Sequence, residues 1–493
     1  MLRLSPVVAI LTLGLLLPPD ARAALGKVGD ETTVNGPRNR YSGLPDVIRR
    51  PEGFLVVWSG MRNPAALNTV DILARSFDSS GRPTGRPFIV NTQERRPGSA
   101  EVLPIASPFA DGGFVVGWEN DFDDDGDDYG VFGRVTDKNG RPRGNDFKLP
   151  TVTTGAQTFP WLAAQRRAFV ASWQDRGTLN EQRSQVYVRR FARNGEPLGP
   201  QMAVSPLEDF VGFSPSVATS SDDTVLVVWE TAGGLDDQST VIGRWFDKSL
   251  VPVSEGVRID DATFGSQRGP AVAHLTSKSF VVAWLGLTPS GANVFARRAG
   301  TDSNLLGDAI VLGEASALGA APPRVAASGD GDFVVVWAAA SGSGTTNLVA
   351  RHVSRKGIPD GPLLTIAREV DLKIRHQYAI THAGNGEFAI VWEARGAEES
   401  TSQIRLQRVC TTGGSDQACG NATCSNDAGA DQSAGAMDAA FALQSAVSLT
   451  ACEACRCDVD SSGTVTASDA LAILRHAVDP LTELNCPSCD ETP

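Results

Sequence analysis

The residues whose types and spacing could do chemistry are concentrated near the C-terminus, in the segment Asp458-Val-Asp-Ser-Ser-Gly-Thr-Val-Thr-Ala-Ser-Asp469. Oxygen side chains at alternate positions, a glycine at the sixth and a carboxylate at the twelfth form the loop by which hard cations such as Ca2+ are held. Asp458, Asp460 and Ser462 take the first, third and fifth places, and Gly463 makes the bend. Thr464 offers its backbone carbonyl, Thr466 stands ninth, and Asp469 closes the site. Ala470, Leu471, Ile473, Leu474 and Ala477 then recur at helical spacing, so a short helix is expected to follow. An upstream segment repeats this frame, pairing Asp427 with Asp458 and Asp438 with Asp469. It keeps Asp431 at the fifth place but has Gly429 at the third and Gln432 at the bend, which predicts a weaker cation site. A third acidic run, Asp121-Phe-Asp123-Asp-Asp125-Gly-Asp-Asp128, reads either as a cation loop through Asp121, Asp123 and Asp125 or as a solvated turn.

All eight cysteines fall in the same C-terminal stretch, at Cys410, Cys419, Cys424, Cys452, Cys455, Cys457, Cys486 and Cys489. The spacing of Cys452 and Cys455 with Cys486 and Cys489 would suit zinc in a reducing compartment. Cys424, Cys455 and Cys486 follow the period of the two acidic loops, and in an exported chain such cysteines read as disulfide staples for a small module. No G-x-S-x-G elbow, H-E-x-x-H helix or P-loop occurs. His274, His352, His376, His382 and His476 form no cluster in sequence and read as surface or packing residues.

The two loop-helix units, each with Asp at its twelfth position, resemble a dockerin module. The resemblance implies Ca2+ held by Asp458, Asp460, Ser462, Thr464, Thr466 and Asp469, and a cohesin-like partner. The positions that would recognise that partner are Ala467 and Ser468 in one repeat and Ala436 and Met437 in the other.

The long segment before the cysteines is a repeat. An apolar run ending in Trp recurs at Trp58, Trp118, Trp173, Trp229, Trp284, Trp337 and Trp392, at intervals of 53 to 60 residues. A short segment such as Leu44-Pro-Asp-Val-Ile or Ser214-Pro-Ser-Val-Ala precedes most copies, and a strand-like segment with an arginine follows, at Arg75, Arg134, Arg189, Arg244 and Arg351. A G-x-P-x-G turn comes next, as in Gly81, Pro83 and Gly85. Four strands in a unit of about 50 residues are the mark of a propeller blade. Runs apolar at every position predict strands buried on both faces, with each Trp in the core. The seventh unit lacks its last strand before Cys410, whereas Thr32–Asn35 matches that strand type, so the N-terminal strand is expected to close the ring. These units resemble a repeat family of large exported bacterial proteins; the resemblance implies fold and export and no particular activity.

The fold expected is therefore all-β, a seven-bladed β-propeller over residues 30–409, followed at 410–493 by a small α-helical, disulfide-rich, dockerin-like module with an EF-hand-type loop. Residues 1–23, with Arg3 before an apolar run and Ala21-Arg22-Ala23 after it, read as a signal peptide. The apolar run is shorter than the ~20 residues of a membrane span. A secreted or cell-surface location follows. A net charge of −13 with no basic cluster argues against nucleic-acid partners. The leading expectation is a non-catalytic binding or adhesion protein for a carbohydrate or an extracellular protein. The alternative is a polysaccharide-acting enzyme, a glycoside hydrolase or lyase, with an appended dockerin-like module.

Overall fold

A computed structural model describes residues 24–412, apart from the segments 37–40, 62–68, 92–99, 121–128, 178–183, 205–210, 233–237, 262–264, 289–290, 317–320, 342–344, 371, 373–375, 385 and 396–401. These residues form seven four-stranded antiparallel sheets, each contributed by consecutive strands except the last. The innermost strands neighbour one another in cyclic order, Ser42–Arg50 of blade 1 lying against both Glu101–Pro108 of blade 2 and Tyr378–Gly384 of blade 7. The ring is a closed seven-bladed β-propeller.

Blade 1 shows the plan: Ser42–Arg50 inside, Gly53–Gly60 next, then Asp71–Phe77, and Phe88–Ile89 at the rim. The second strand of each blade carries the Trp-terminated run. Because blades stack face to face, a second strand is apolar on both sides, and every residue of Gly53–Gly60 and of Phe114–Asn120 is buried. The seven tryptophans are all fully buried in the core. Rim strands have only two residues in blades 1 to 4, but run Leu305–Glu314 in blade 5 and Pro359–Val370 in blade 6.

Blade 7 borrows its rim strand from the N-terminus. Ala24–Thr33 pairs antiparallel with Ser402–Thr412, from Ala24 opposite Thr412 to Thr33 opposite Arg405, across one irregularity. The Val34 amide then donates to the Ile404 carbonyl, and the Ile404 amide to the Asn35 side chain. The closing strand thus runs back to Ala24, well before the Thr32 start expected from sequence.

The recurrent arginine is a staple between blades. Arg189 donates through Nε to the Gly199 carbonyl of its own turn and through Nη1 to Leu149 O of the preceding blade, and its guanidinium lies 5.4 Å from the Phe191 ring centre. Arg75, Arg244, Arg297 and Arg351 make the same pair of bonds, to their own turn and to the end of the previous rim strand. The turn glycine permits the close approach this needs. At Gly140, φ is +77°, and a Cβ there would lie 2.5 Å from the Phe88 ring of the neighbouring blade.

Candidate functional site

The innermost strands of blades 1 to 5 enter the ring through a bulge. Its first residue is left-handed in each, at Leu44, Leu103, Phe159, Ser214 and Gly269, and so is His376 just before the strand of blade 7, with φ between 52° and 63°. A proline follows in the first five, where its missing N–H costs nothing because the ladder skips there, as between Thr158 and Trp161. Blade 6 has Pro322-Pro323 at this place and blade 7 has His376-Gln377.

The left-handed turn points the amide at the preceding blade. There the residue after the core Trp receives it in four cases. Leu44 N donates to Glu393 Oε2 at 3.3 Å, Ser214 N to Gln174 Oε1 at 3.3 Å, and Gly269 N to Glu230 Oε2 at 3.1 Å. Phe159 N donates to Glu119 Oε1 in the same way. These side chains, three carboxylates and one amide, are therefore tethers in the channel wall. Burial pushes the Glu119 carboxyl up to about 7, against the pull of the Phe159 amide and the Arg176 charge. Asp46, on the innermost strand of blade 1, accepts the Ala106 amide at 2.8 Å. Desolvation pushes it up to about 6, against the pull of the Ala106 amide and the Arg324 charge. By surface area Asp46 is only partly buried, as suits a side chain on the wall of a narrow channel.

Past the bulges, five blades converge on one pocket, lined by Phe159, Trp161, Ser214, Gly269, Arg324 and His376 with the intervening prolines. Phe159 and Trp161 of blade 3 reach across to blades 6 and 7. The Arg324 guanidinium lies 4.6 Å from the Trp161 ring centre. The His376 ring stacks on Phe159 at 6.3 Å with 9° between planes, and meets Trp161 at 5.7 Å. Arg324 and His376 are 8% and 7% exposed, so each shows the pocket only a small face. Tyr378 behind them donates its hydroxyl to Ala321 O and Pro322 O, and burial raises its pKa, so it is a fixed donor and no acid. The pocket thus offers a cation, an imidazole and two aromatic faces. Among the described residues no three His, Cys, Asp or Glu side chains converge in a way that could hold a metal ion.

The sites read from sequence lie elsewhere. Asp458, Asp460, Ser462, Thr464, Thr466, Asp469, Asp427, Asp431, Asp438, Asp121, Asp123 and Asp125 are outside the described residues, as are seven of the eight cysteines. Cys410 sits buried in the strand Ser402–Thr412 and is disulfide-bonded. Phe159, Trp161 and Arg324 were not singled out from sequence, and His376 read there as a surface or packing residue. The signal was present in the residues flanking each bulge proline. Leu-Pro-Asp, Leu-Pro-Ile, Ser-Pro-Ser and Gly-Pro-Ala are bland, whereas Phe159-Pro-Trp161, Pro322-Pro-Arg324 and His376-Gln-Tyr378 depart from them.

The sequence matches no protein-family model and no curated protein. Solved structures do match in fold. One, a protein of unknown function from Dyadobacter fermentans, is 10% identical with a TM-score of 0.46, over 78% of this chain and 99% of its own. The polysaccharide lyase Uly1 is 10% identical with a TM-score of 0.46, over 74% and 89%. An α-L-arabinofuranosidase from Fusarium graminearum is 12% identical with a TM-score of 0.39, over 64% and 94%. The expectation of a non-catalytic binding or adhesion protein is corrected here: the matching propellers of stated activity include lyases and glycoside hydrolases. At these identities the likeness is one of fold, and any reaction must be argued from the pocket itself.

Proposed function

We propose that the chain is a polysaccharide-acting enzyme whose active site is the pocket at the channel mouth, and that it works by elimination on a carboxylated sugar. The observation that carries this reading is the convergence of Arg324 and His376 with the Phe159 and Trp161 rings in one pocket. A guanidinium neutralises a sugar carboxylate and so acidifies the neighbouring C–H. An imidazole takes a proton near neutral pH. Aromatic faces bind the apolar side of a sugar ring. Hydrolysis by paired carboxylates fits less well, because Glu119, Glu230, Glu393 and Asp46 all accept backbone amides. In the step proposed, His376 accepts the proton from the carbon bearing the carboxylate. The bond to the leaving oxygen breaks as the ring double bond forms, and the oxygen is protonated from water. The full chain should therefore release unsaturated, ultraviolet-absorbing ends from uronate-containing polysaccharides and none from neutral ones. Arg324→Ala and His376→Ala should each lower that rate by about 100-fold or more. Reducing ends without absorbance, or full activity in both variants, would overturn the assignment.

The remaining parts of the chain fit export and attachment. The signal-peptide reading of residues 1–23 puts the mature N-terminus at Ala24, the first residue of the strand that closes the ring. Residues 410–493 are a disulfide-rich, dockerin-like module binding Ca2+ through Asp458, Asp460, Ser462, Thr464, Thr466 and Asp469, with a cohesin-like partner. Terminal sequencing of the exported protein that began anywhere upstream of Ala24 would count against the first of these. A calcium-insensitive module would count against the second.

A further inference from the structure

We propose that Glu119 is a positioning residue of the channel mouth: by accepting the Phe159 amide it holds Phe159 where its ring stacks on His376. The importance of this for turnover rests on the active-site reading above; the structural relation does not. Glu119 is not among the residues lining the pocket, so it acts only through Phe159. Phe159 is a bulky residue with φ of 54°, a conformation that side chains of its size adopt only when their surroundings impose it. The ladder between blade 3's first two strands skips from Thr158 to Trp161. Across that gap the Phe159 amide donates to the Glu119 carboxylate of blade 2. Remove that acceptor and the part-buried Phe159 amide loses its bond to the preceding blade, which favours turning the peptide away and carrying the ring with it.

The ring of blades supplies its own comparison. The same tether joins Glu393 to Leu44, Gln174 to Ser214 and Glu230 to Gly269. Of the four tethers, that of Glu119 alone holds a residue with an aromatic ring, and this ring meets an imidazole from across the channel. Gln174 further shows that a neutral amide oxygen makes this bond.

The test uses the full chain with 13C-labelled histidine, following the His376 ring resonance, assigned by its loss in His376→Gln. Glu119→Ala should shift that resonance and its titration midpoint, through loss of the stacked Phe159 ring, and should lower turnover on uronate polysaccharides at least tenfold. Glu119→Gln should restore both. Gln174→Ala removes the equivalent tether at Ser214, which carries no ring to stack on His376, and should leave the His376 resonance in place. An unmoved resonance in Glu119→Ala, or an equal shift in Gln174→Ala, would overturn the proposal. If the wild-type chain cleaves no polysaccharide, the enzymatic reading fails while the resonance still decides the role of Glu119.

Discussion

Glu119 puts a buried carboxylate into the wall, and the consequence is a pH dependence of stability. Its ordinary value is 4.5, and in the fold it is raised to about 7 by burial. Between those values the folded protein holds a proton that the unfolded chain has released. Stability from this group is therefore greatest below pH 4.5, falls through the window and is least above pH 7, where the buried charge costs on the order of 3 kcal/mol. Glu119→Gln should flatten the stability profile across that window and raise stability at pH 8. Denaturant unfolding at several pH values checks this, and a variant less stable than wild type at pH 8 would contradict it. The staple arginines act by geometry. Arg189→Lys keeps the charge but loses the fork that joins Gly199 O to Leu149 O, and should cost about 1–2 kcal/mol.

Within the elements, the turn glycines and the closing strand carry the corresponding tests. Gly140→Ala meets both a left-handed backbone and the Phe88 ring, and should destabilise by about 1–3 kcal/mol. Gly85→Ala, with nothing within 4 Å of the added Cβ, should be close to neutral. Equal melting temperatures for the two variants would show that the turn does not need its first glycine. Deleting residues 24–35 removes the rim strand of blade 7 and with it the ladder from Ala24 to Thr33. The edge of Ser402–Thr412 would then lie open, and the shortened chain should melt well below the intact one and self-associate through it. Unchanged melting would mean that the ring is held by blade stacking alone.

For the whole molecule, a closed ring is cooperative because each blade buries its strands against both neighbours. The propeller should give one calorimetric transition. The C-terminal module should give a second. If the loop from Asp458 to Asp469 binds Ca2+, saturating calcium should raise only that second transition, since a ligand at about a hundred times its dissociation constant adds ~2.7 kcal/mol to the state it binds. Asp458→Ala should abolish the rise. A second transition that ignores both calcium and this substitution would leave the disulfides as the module's sole support.

Seven blades were legible in the sequence because a strand buried on both faces must be apolar throughout, and such runs recur with one Trp each. The need for a borrowed strand was legible too, because the last unit is one strand short. The length of that strand was not, since Ala24–Thr33 alternates weakly and is held by backbone bonds to Ser402–Thr412 that any side chain allows. The pocket was hidden for a related reason. Phe159 and His376 are separated by more than half the ring's sequence, and only closure sets them face to face. Read singly, each is an aromatic or a histidine beside a strand. The carboxylates, too, look like candidate acids until the bulges turn the amides of the next blade onto them, and that pairing exists only in the assembled ring.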